Sequence, residues 1–260
     1  MDATTSHVVF RVVSKRFGDG PRVLADVDLT VNPGEFVSLI GPSGCGKSTL
    51  LRLIAGLSAV STGEILVDGK PPVRGQAGTA FIFQEPTLLP WLNVQSNIEV
   101  PLRLRGSPGA ERRRLSNEML QLVRLGDARR KYPRQLSGGM KMRVSVARAL
   151  ALSPRLLLMD EPFGALDEMT RQHLNEELLE LRQQQKWTAL FVTHSVAEAV
   201  FLSSRVLIMA ARPGRIVADI AVPFSFPRAP DMRERSEYHE LIGRVSHELR
   251  ATETETGDGS

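Results

Sequence analysis

One stretch constrains this chain more than any other: Glu35-Phe36-Val37-Ser38-Leu39-Ile40, followed by Gly41-Pro42-Ser43-Gly44-Cys45-Gly46-Lys47-Ser48-Thr49. The first six residues are apolar enough for a buried parallel strand. The first eight of the next nine match G-x-x-x-x-G-K-[ST], and a helical run from Lys47 to about Ala55 opens inside them. Strand, glycine-rich loop and helix in that order is the context in which this pattern holds phosphate. Gly44 and Gly46 let the backbone curl, so that successive N–H groups point inward at phosphate oxygens. The helix N-terminus adds its partial positive charge. Lys47 is placed to neutralise β- and γ-phosphates, Ser48 to set its hydroxyl on Mg²⁺, and Thr49 to donate once more to phosphate.

A second element answers the first. Leu156-Leu157-Leu158-Met159-Asp160-Glu161 is an apolar strand ending in two carboxylates. In open α/β sheets ligands bind at the carboxyl ends of strands, so these acids belong with the phosphate loop. Asp160 is expected to take the metal, directly or through water. Glu161, one residue on, is expected to accept a proton from an attacking water.

The rest of the pattern supports an α/β architecture. Strand signals occur at 8–13, 24–31, 64–67, 79–83, 155–159, 188–193 and 205–209, and helical runs at 111–125, 140–152, 169–185 and 196–202. Between about Thr87 and Pro154 prolines punctuate helical stretches, which reads as a helical insertion between strands. The polar last ten residues, 251–260, are expected to be a disordered tail.

Composition excludes rather than assigns. The chain has 260 residues, 42% hydrophobic and 24% charged, which is ordinary globular usage. No window approaches the roughly 18 consecutive apolar residues of a membrane-spanning helix. The N-terminus shows no basic segment followed by an apolar run, so no secretory signal is expected. Cys45 is the single cysteine, which rules out an internal disulfide and fits a reducing compartment. A net charge of +4 fits a basic surface facing lipid or an acidic partner as well as it fits nucleic acid. The run Arg112-Arg113-Arg114 reads first as a solvated helix face.

Between the two phosphate-site elements lies Leu136-Ser137-Gly138-Gly139-Met140, which opens the run Lys141–Leu150. This resembles the signature motif of ATP-binding cassette (ABC) ATPases, LSGGQ and the helix after it. Other motifs of that family follow in order. Phe17 resembles the aromatic residue that stacks on adenine, Gln84 the Q-loop glutamine, Ala165-Leu166-Asp167 the D-loop and His194 the switch histidine. Two positions depart from the pattern: Met140 replaces the usual glutamine, and Met142 stands where glutamine commonly precedes Arg143-Val144.

The resemblance covers about residues 8–220 and implies a P-loop NTPase fold. That is a RecA-like core with an antiparallel β subdomain (about 1–86 and 155–230), plus an inserted α-helical subdomain (about 87–154). It implies ATP and Mg²⁺ as cofactors. Phe17, Gly41, Pro42, Ser43, Gly44, Cys45, Gly46, Lys47, Ser48, Thr49, Ser137, Gly138, Gly139 and Asp167 are then ATP-binding. Glu161, His194 and Gln84 are catalytic, and Ser48, Gln84 and Asp160 take the metal. Ser137 is a good helix N-cap, and two glycines allow close approach of backbone to an anion. In the family this helix end meets the nucleotide of the opposite subunit, which implies a head-to-tail dimer.

With no membrane segment of its own, such a chain is expected to serve two permease subunits at the cytoplasmic face of the membrane, and through them a solute-binding protein. No nucleic-acid partner is expected. The alternative is a soluble ABC-type ATPase acting on ribosomes or DNA. Gln84–Val94, Met140 and Pro223-Phe224-Ser225-Phe226-Pro227-Arg228 resemble the nitrate, sulfonate and taurine importers. A small anion is the implied cargo, with a pyrimidine vitamin precursor as the alternative. Trp91, between prolines, is either an anchor for a permease helix or a core residue of the helical subdomain.

Overall fold

The structure, a computed structural model, describes residues 7–164, 166–185 and 187–254. In chain order these form β1 (Val8–Arg16), β2 (Arg22–Val31), β3 (Phe36–Ile40), α1 (Lys47–Ile54), β4 (Thr62–Val67) and β5 (Thr79–Ile82). There follow α2 (Val94–Leu104), α3 (Gly109–Leu122), α4 (Gly138–Leu150), β6 (Leu156–Asp160), α5 (Glu168–Gln185) and β7 (Thr188–Val192). The last are α6 (Val196–Leu202), β8 (Arg205–Ala210), β9 (Arg215–Ala221) and α7 (Ser236–Thr254), with short 3₁₀ turns between some of them. The chain divides into two compact units, one of residues up to Gln76 with those from Trp187 onward, the other Ala77–Lys186.

The first unit holds two sheets. An antiparallel sheet in the order β2-β1-β4 pairs Val8 with both Val31 and Val67. A mixed sheet runs β7-β3-β8-β9, with β3 parallel to both neighbours and β9 antiparallel to β8. β3 and β7 have no exposed residue, which is why their sequences are continuous apolar runs rather than alternating ones. Phe36 meets Trp187 and Phe191 at ring-centroid distances of 5.9 and 6.0 Å, giving this sheet an aromatic centre. The one polar residue of β3, Ser38, is fully buried and pairs its hydroxyl with that of Ser203.

In the second unit β5 and β6 are parallel, with Ile82 opposite Met159. The three helices α2, α3 and α4 lie between these strands in sequence and pack on one another. Asn93 caps α2 by accepting from Ser96 N–H at 2.8 Å. The buried Glu99 of α2 accepts from the hydroxyl of Ser116 on α3 at 3.1 Å. Glu177 of α5, also buried, gathers Arg124 at 3.4 Å, His173 at 3.3 Å and Arg143 of α4 at 3.8 Å.

Three elements were not foreseen. α2 carries Pro101 within it, so a run punctuated by prolines is here a helix. β9 and α7 follow the last strand signal. The expectation of a disordered tail over 251–260 is corrected for its first part. α7 continues to Thr254, and Thr252 is buried with its hydroxyl donating to Leu249 O at 2.7 Å. Residues 255–260 lie outside the described residues.

Candidate active site

In the first unit the loop Gly41–Thr49 leaves the end of β3 and enters α1. Two of its glycines are demanded by their surroundings. Gly46 has φ 101°, and a Cβ there would lie 2.6 Å from Leu24 Cδ2. A Cβ on Gly41 would lie 2.5 Å from Met209 O. The loop is thus seated on β2 and on the end of β8, with no room for a side chain between. Pro42 accepts from Cys45 N–H at 3.4 Å, and Gly46 O accepts the first bond of the helix from Leu50 N–H at 2.9 Å. Ser43 and Gly44 are exposed, and Ser48 and Thr49 are half-buried at the helix start.

Lys47 is buried, yet its ammonium is held within the loop, donating to Gly41 O at 2.8 Å and Pro42 O at 2.9 Å. Those carbonyls offset the desolvation of the charge. Cys45 Sγ lies 3.8 Å from Lys47 Nζ. The thiol is fully buried, and burial pushes its pKa up despite the nearby ammonium.

His194 belongs to the same unit. β7 runs parallel to β3 with Val192 opposite Leu39, and Thr193 N–H donates to Leu39 O at 3.3 Å. His194 therefore follows β7 at the level where Gly41 follows β3, and its side chain is exposed. Phe17 sits in the β1–β2 connection, 52% exposed, with Lys15 Nζ 4.6 Å from its ring centre. An exposed flat ring of this kind offers a stacking face.

In the second unit the parallel pairing of β5 and β6 brings Gln84 and Glu161 together beyond the strand ends. Gln84 Nε2 donates to Glu161 Oε2 at 3.2 Å. Asp160 closes β6 as a buried residue. Glu161 adopts φ 47°, a left-handed conformation rare for a residue with a long side chain. Its carbonyl accepts from Gly164 N–H at 3.2 Å, closing a tight turn after the strand. Strain of this kind concentrates where a side chain must be aimed.

Ser137 is the N-cap of α4, its hydroxyl accepting from Met140 N–H at 3.3 Å. A Cβ on Gly139 would lie 3.2 Å from Thr170 Cγ2, whereas Gly138 has open space above it. Asp167 accepts from Thr170 N–H at 3.0 Å, the cap bond of α5. That backbone bond and the Thr170 hydroxyl hold its carboxyl below the usual range. Of the D-loop motif, Ala165 lies outside the described residues.

Two residues of this region were missed in the sequence. Asn97, fully buried, accepts from Leu89 N–H at 2.8 Å and donates to Leu89 O, Leu92 O and Asn93 O at 2.9–3.1 Å. It staples the loop on which Trp91 stands 69% exposed, so of the two readings of Trp91 the buried one falls. Arg148 of α4 donates to Pro86 O and Thr87 O, both at 2.9 Å, tying the segment after Gln84 to the helix that Ser137 caps. Nothing in a one-dimensional pattern marks an asparagine or arginine as a bridge between loop carbonyls.

Among the described residues no three acidic, histidine or cysteine side chains converge as a metal cluster. None of the described helices is long and apolar enough to cross a membrane.

Comparison with known proteins agrees with this geometry. Residues 24–164 match the family model described as "ABC transporter". The chain is 43% identical over 253 residues, 97% of each chain, to a Brucella abortus protein described as an ATP-binding protein. It is 44% identical over 247 residues, 94% of each chain, to the aliphatic sulfonates import ATP-binding protein of Bacillus licheniformis. A dimeric ATP-binding cassette solved in a post-hydrolysis state with ADP and Pi superimposes with a TM-score of 0.75. It is 32% identical, with 84% of this chain and all of that one covered. The fold is that of a P-loop NTPase cassette with a helical subdomain, and the chain belongs to the ABC transporter family as an ATP-binding subunit that hydrolyses ATP.

Proposed function

We propose that this chain energises a binding-protein-dependent importer of a small organic or inorganic anion, an aliphatic sulfonate, taurine or nitrate. The observation that carries the transport reading is Trp91: a large, exposed ring on a loop that Asn97 holds rigid, seven residues after Gln84. A rigid aromatic anchor of this kind binds a partner at low entropic cost. A cytoplasmic helix of a permease subunit is the partner it fits, which puts the chain at the membrane surface. The cargo class is supported by the likeness to the sulfonate importer subunit and by the Gln84–Val94 segment.

In this reading the backbone N–H groups of Gly41–Thr49 and the Lys47 ammonium bind the ATP phosphates, and Phe17 stacks on the base. Glu161 accepts the proton of the attacking water, Gln84 orients Glu161 and the water, and His194 acts on the γ-phosphate. Ser137, Gly138 and Gly139 cap the nucleotide of a second copy in a head-to-tail dimer, with Asp167 at that interface. Ser48, Gln84 and Asp160 are hard oxygen donors, too few for a protein cage. Such a set suits Mg²⁺ arriving on nucleotide phosphates, where the ion offsets their charge.

The test is growth of a deletion strain that lacks redundant importers. Loss of growth on a sulfonate or taurine as sole sulfur source, or on nitrate as sole nitrogen source, is expected, with restoration by the parent gene and none by Glu161→Gln. Normal uptake of all these anions in the deletion strain overturns the cargo assignment.

A further inference from the structure

The segment Pro223–Arg228 stands out in the sequence, and the phosphate chemistry leaves it unused. In the first unit it lies against α6, the seven-residue helix that begins two residues after His194. A helix so short is not stable alone and needs its ends fixed by other parts of the chain. The end nearest His194 is fixed locally. Ser195 caps it by accepting from Glu198 N–H at 3.3 Å, and Ser195 N–H donates to Thr193 Oγ1 at 3.0 Å. The Thr193 hydroxyl in turn donates to the buried carboxylate of Glu198.

The far end is fixed by the C-terminal segment. The last carbonyls of a helix lack partners within it. Arg228 Nη1 donates to two of them, Val200 O at 3.0 Å and Phe201 O at 2.7 Å, while Nη2 donates to Phe224 O at 2.7 Å. The guanidinium carbon lies 4.0 Å from the Phe226 ring centre, and Arg228 is only 7% exposed. A buried cation at a helix C-terminus is favoured by the helix dipole as well as by these bonds. Two further pins come from the same part of the chain. Tyr238 of α7 donates its hydroxyl to Ala197 O at 2.8 Å, and Arg233 stacks on the Phe201 ring at 3.8 Å.

We propose that Arg228 is a positioning residue for ATP hydrolysis, fixing α6 and through it the backbone that aims His194. This rests on the reading of His194 as the group that acts on the γ-phosphate. The C-terminal segment is then part of the hydrolytic machinery, although Arg228 stands 34 residues beyond His194 in the chain.

The experiment measures steady-state ATP hydrolysis by the full chain and binding of a fluorescent ATP analogue. The variants are Arg228→Gln, Arg228→Lys, Tyr238→Phe and His194→Ala, with Arg228→Gln and Tyr238→Phe each also made on His194→Ala. His194→Ala is expected to lower kcat by about 10²-fold. Arg228→Gln is expected to lower kcat at least about tenfold, with KM for ATP within about twofold. Arg228→Lys recovers most of the loss, because an ammonium still bridges two carbonyls. On the His194→Ala background Arg228→Gln is expected to cost nothing more, since both changes remove one function. Additive losses, a parallel rise in KM, or a parent-like rate for Arg228→Gln beside a dead His194→Ala overturn the proposal and leave the histidine's role standing. A parent-like rate for His194→Ala overturns that role instead. Should Arg228→Gln fail to fold, Tyr238→Phe decides by the same cycle: a kcat loss of about threefold that vanishes on His194→Ala supports the brace, and no loss or an additive one overturns it.

Discussion

Gly214 lies in the turn between β8 and β9, and its substitution by alanine tests how the phosphate loop is seated. Its backbone bridges to β2, donating to Val23 O at 2.9 Å and accepting from Ala25 N–H at 2.9 Å. A Cβ there would stand 2.0 Å from Cys45 O and 2.8 Å from Val23 O, where real contacts essentially never fall below 3.0 Å. Held by its two hydrogen bonds, the turn cannot retreat, so the Cys45 carbonyl must move by about 1 Å. That carbonyl lies in the peptide leading to Gly46, inside the loop. A misplacement of about 1 Å costs roughly 10²-fold in rate, and the overpacking costs about 1–3 kcal/mol of stability. Gly214→Ala is therefore expected to fold with a Tm lower by several degrees, at about 2–4 °C per kcal/mol. Its kcat/KM for ATP should fall about 10²-fold. Parallel calorimetry and hydrolysis assays measure both quantities. A folded Gly214→Ala protein with parent-like kcat/KM would refute the claim that this turn templates the loop.

Gly243→Ala supplies the matched control: it lies in α7 with nothing within 4 Å of its Cβ position, so denaturant unfolding should show a gain of about 0.5–1 kcal/mol with hydrolysis unchanged. Cys45 is the single thiol, and burial raises its pKa. A maleimide at pH 7–8 should therefore label the native chain only as fast as it unfolds, and rapid labelling of folded protein would contradict the packing. Asp167 titrates below the usual carboxylate range because Thr170 N–H and hydroxyl favour its charged form. A depressed folded pKa means that this contribution is present above the ordinary Asp value and is lost as pH falls through the folded one. Protection of the Thr170 amide, its exchange rate set against that of an unstructured amide at the same pH, should accordingly fall in acid, and Asp167→Asn should flatten that pH dependence.

Continuous apolar runs made β3, β6 and β7 readable from sequence, because strands buried on both faces leave no alternation to misread. The phosphate loop was legible for a different reason: its glycines and lysine stand close together in the chain. α7 carries a helical signal in Tyr238, Leu241, Val245 and Thr252, all buried, but it stands next to a polar tail whose composition suggested disorder. α2 was hidden by Pro101. The bridging roles of Gly214 and Arg228 could not be read, since they act on the carbonyls of Val23, Val200 and Phe201, far away in sequence, and no local pattern records a long-range hydrogen bond. Asn97 reaches carbonyls only four to eight residues back, but through a loop whose path the sequence does not show. Glu161 could be named from its place at a strand end and Gln84 by resemblance, yet that one donates to the other follows only from the β5–β6 register.

The seat of the phosphate loop also bears on how the chain matures during synthesis. β3, from which the loop springs, pairs with β7 and β8, whose residues are made about 150 and 170 positions later. The turn that fixes Cys45 comes later still, at Gly214. A ribosome-bound fragment ending before β7 holds the full nucleotide-binding motif but lacks both strands that flank β3, and one ending between β8 and Gly214 still lacks the backbone seated against Cys45. Long-range parallel pairing forms slowly for this reason, and its strands stay exposed meanwhile. ATP therefore cannot act as an early folding template for this subunit. It can stabilise the chain only after most of it has left the ribosome, so truncation anywhere before residue 214 should yield protein that no amount of nucleotide rescues.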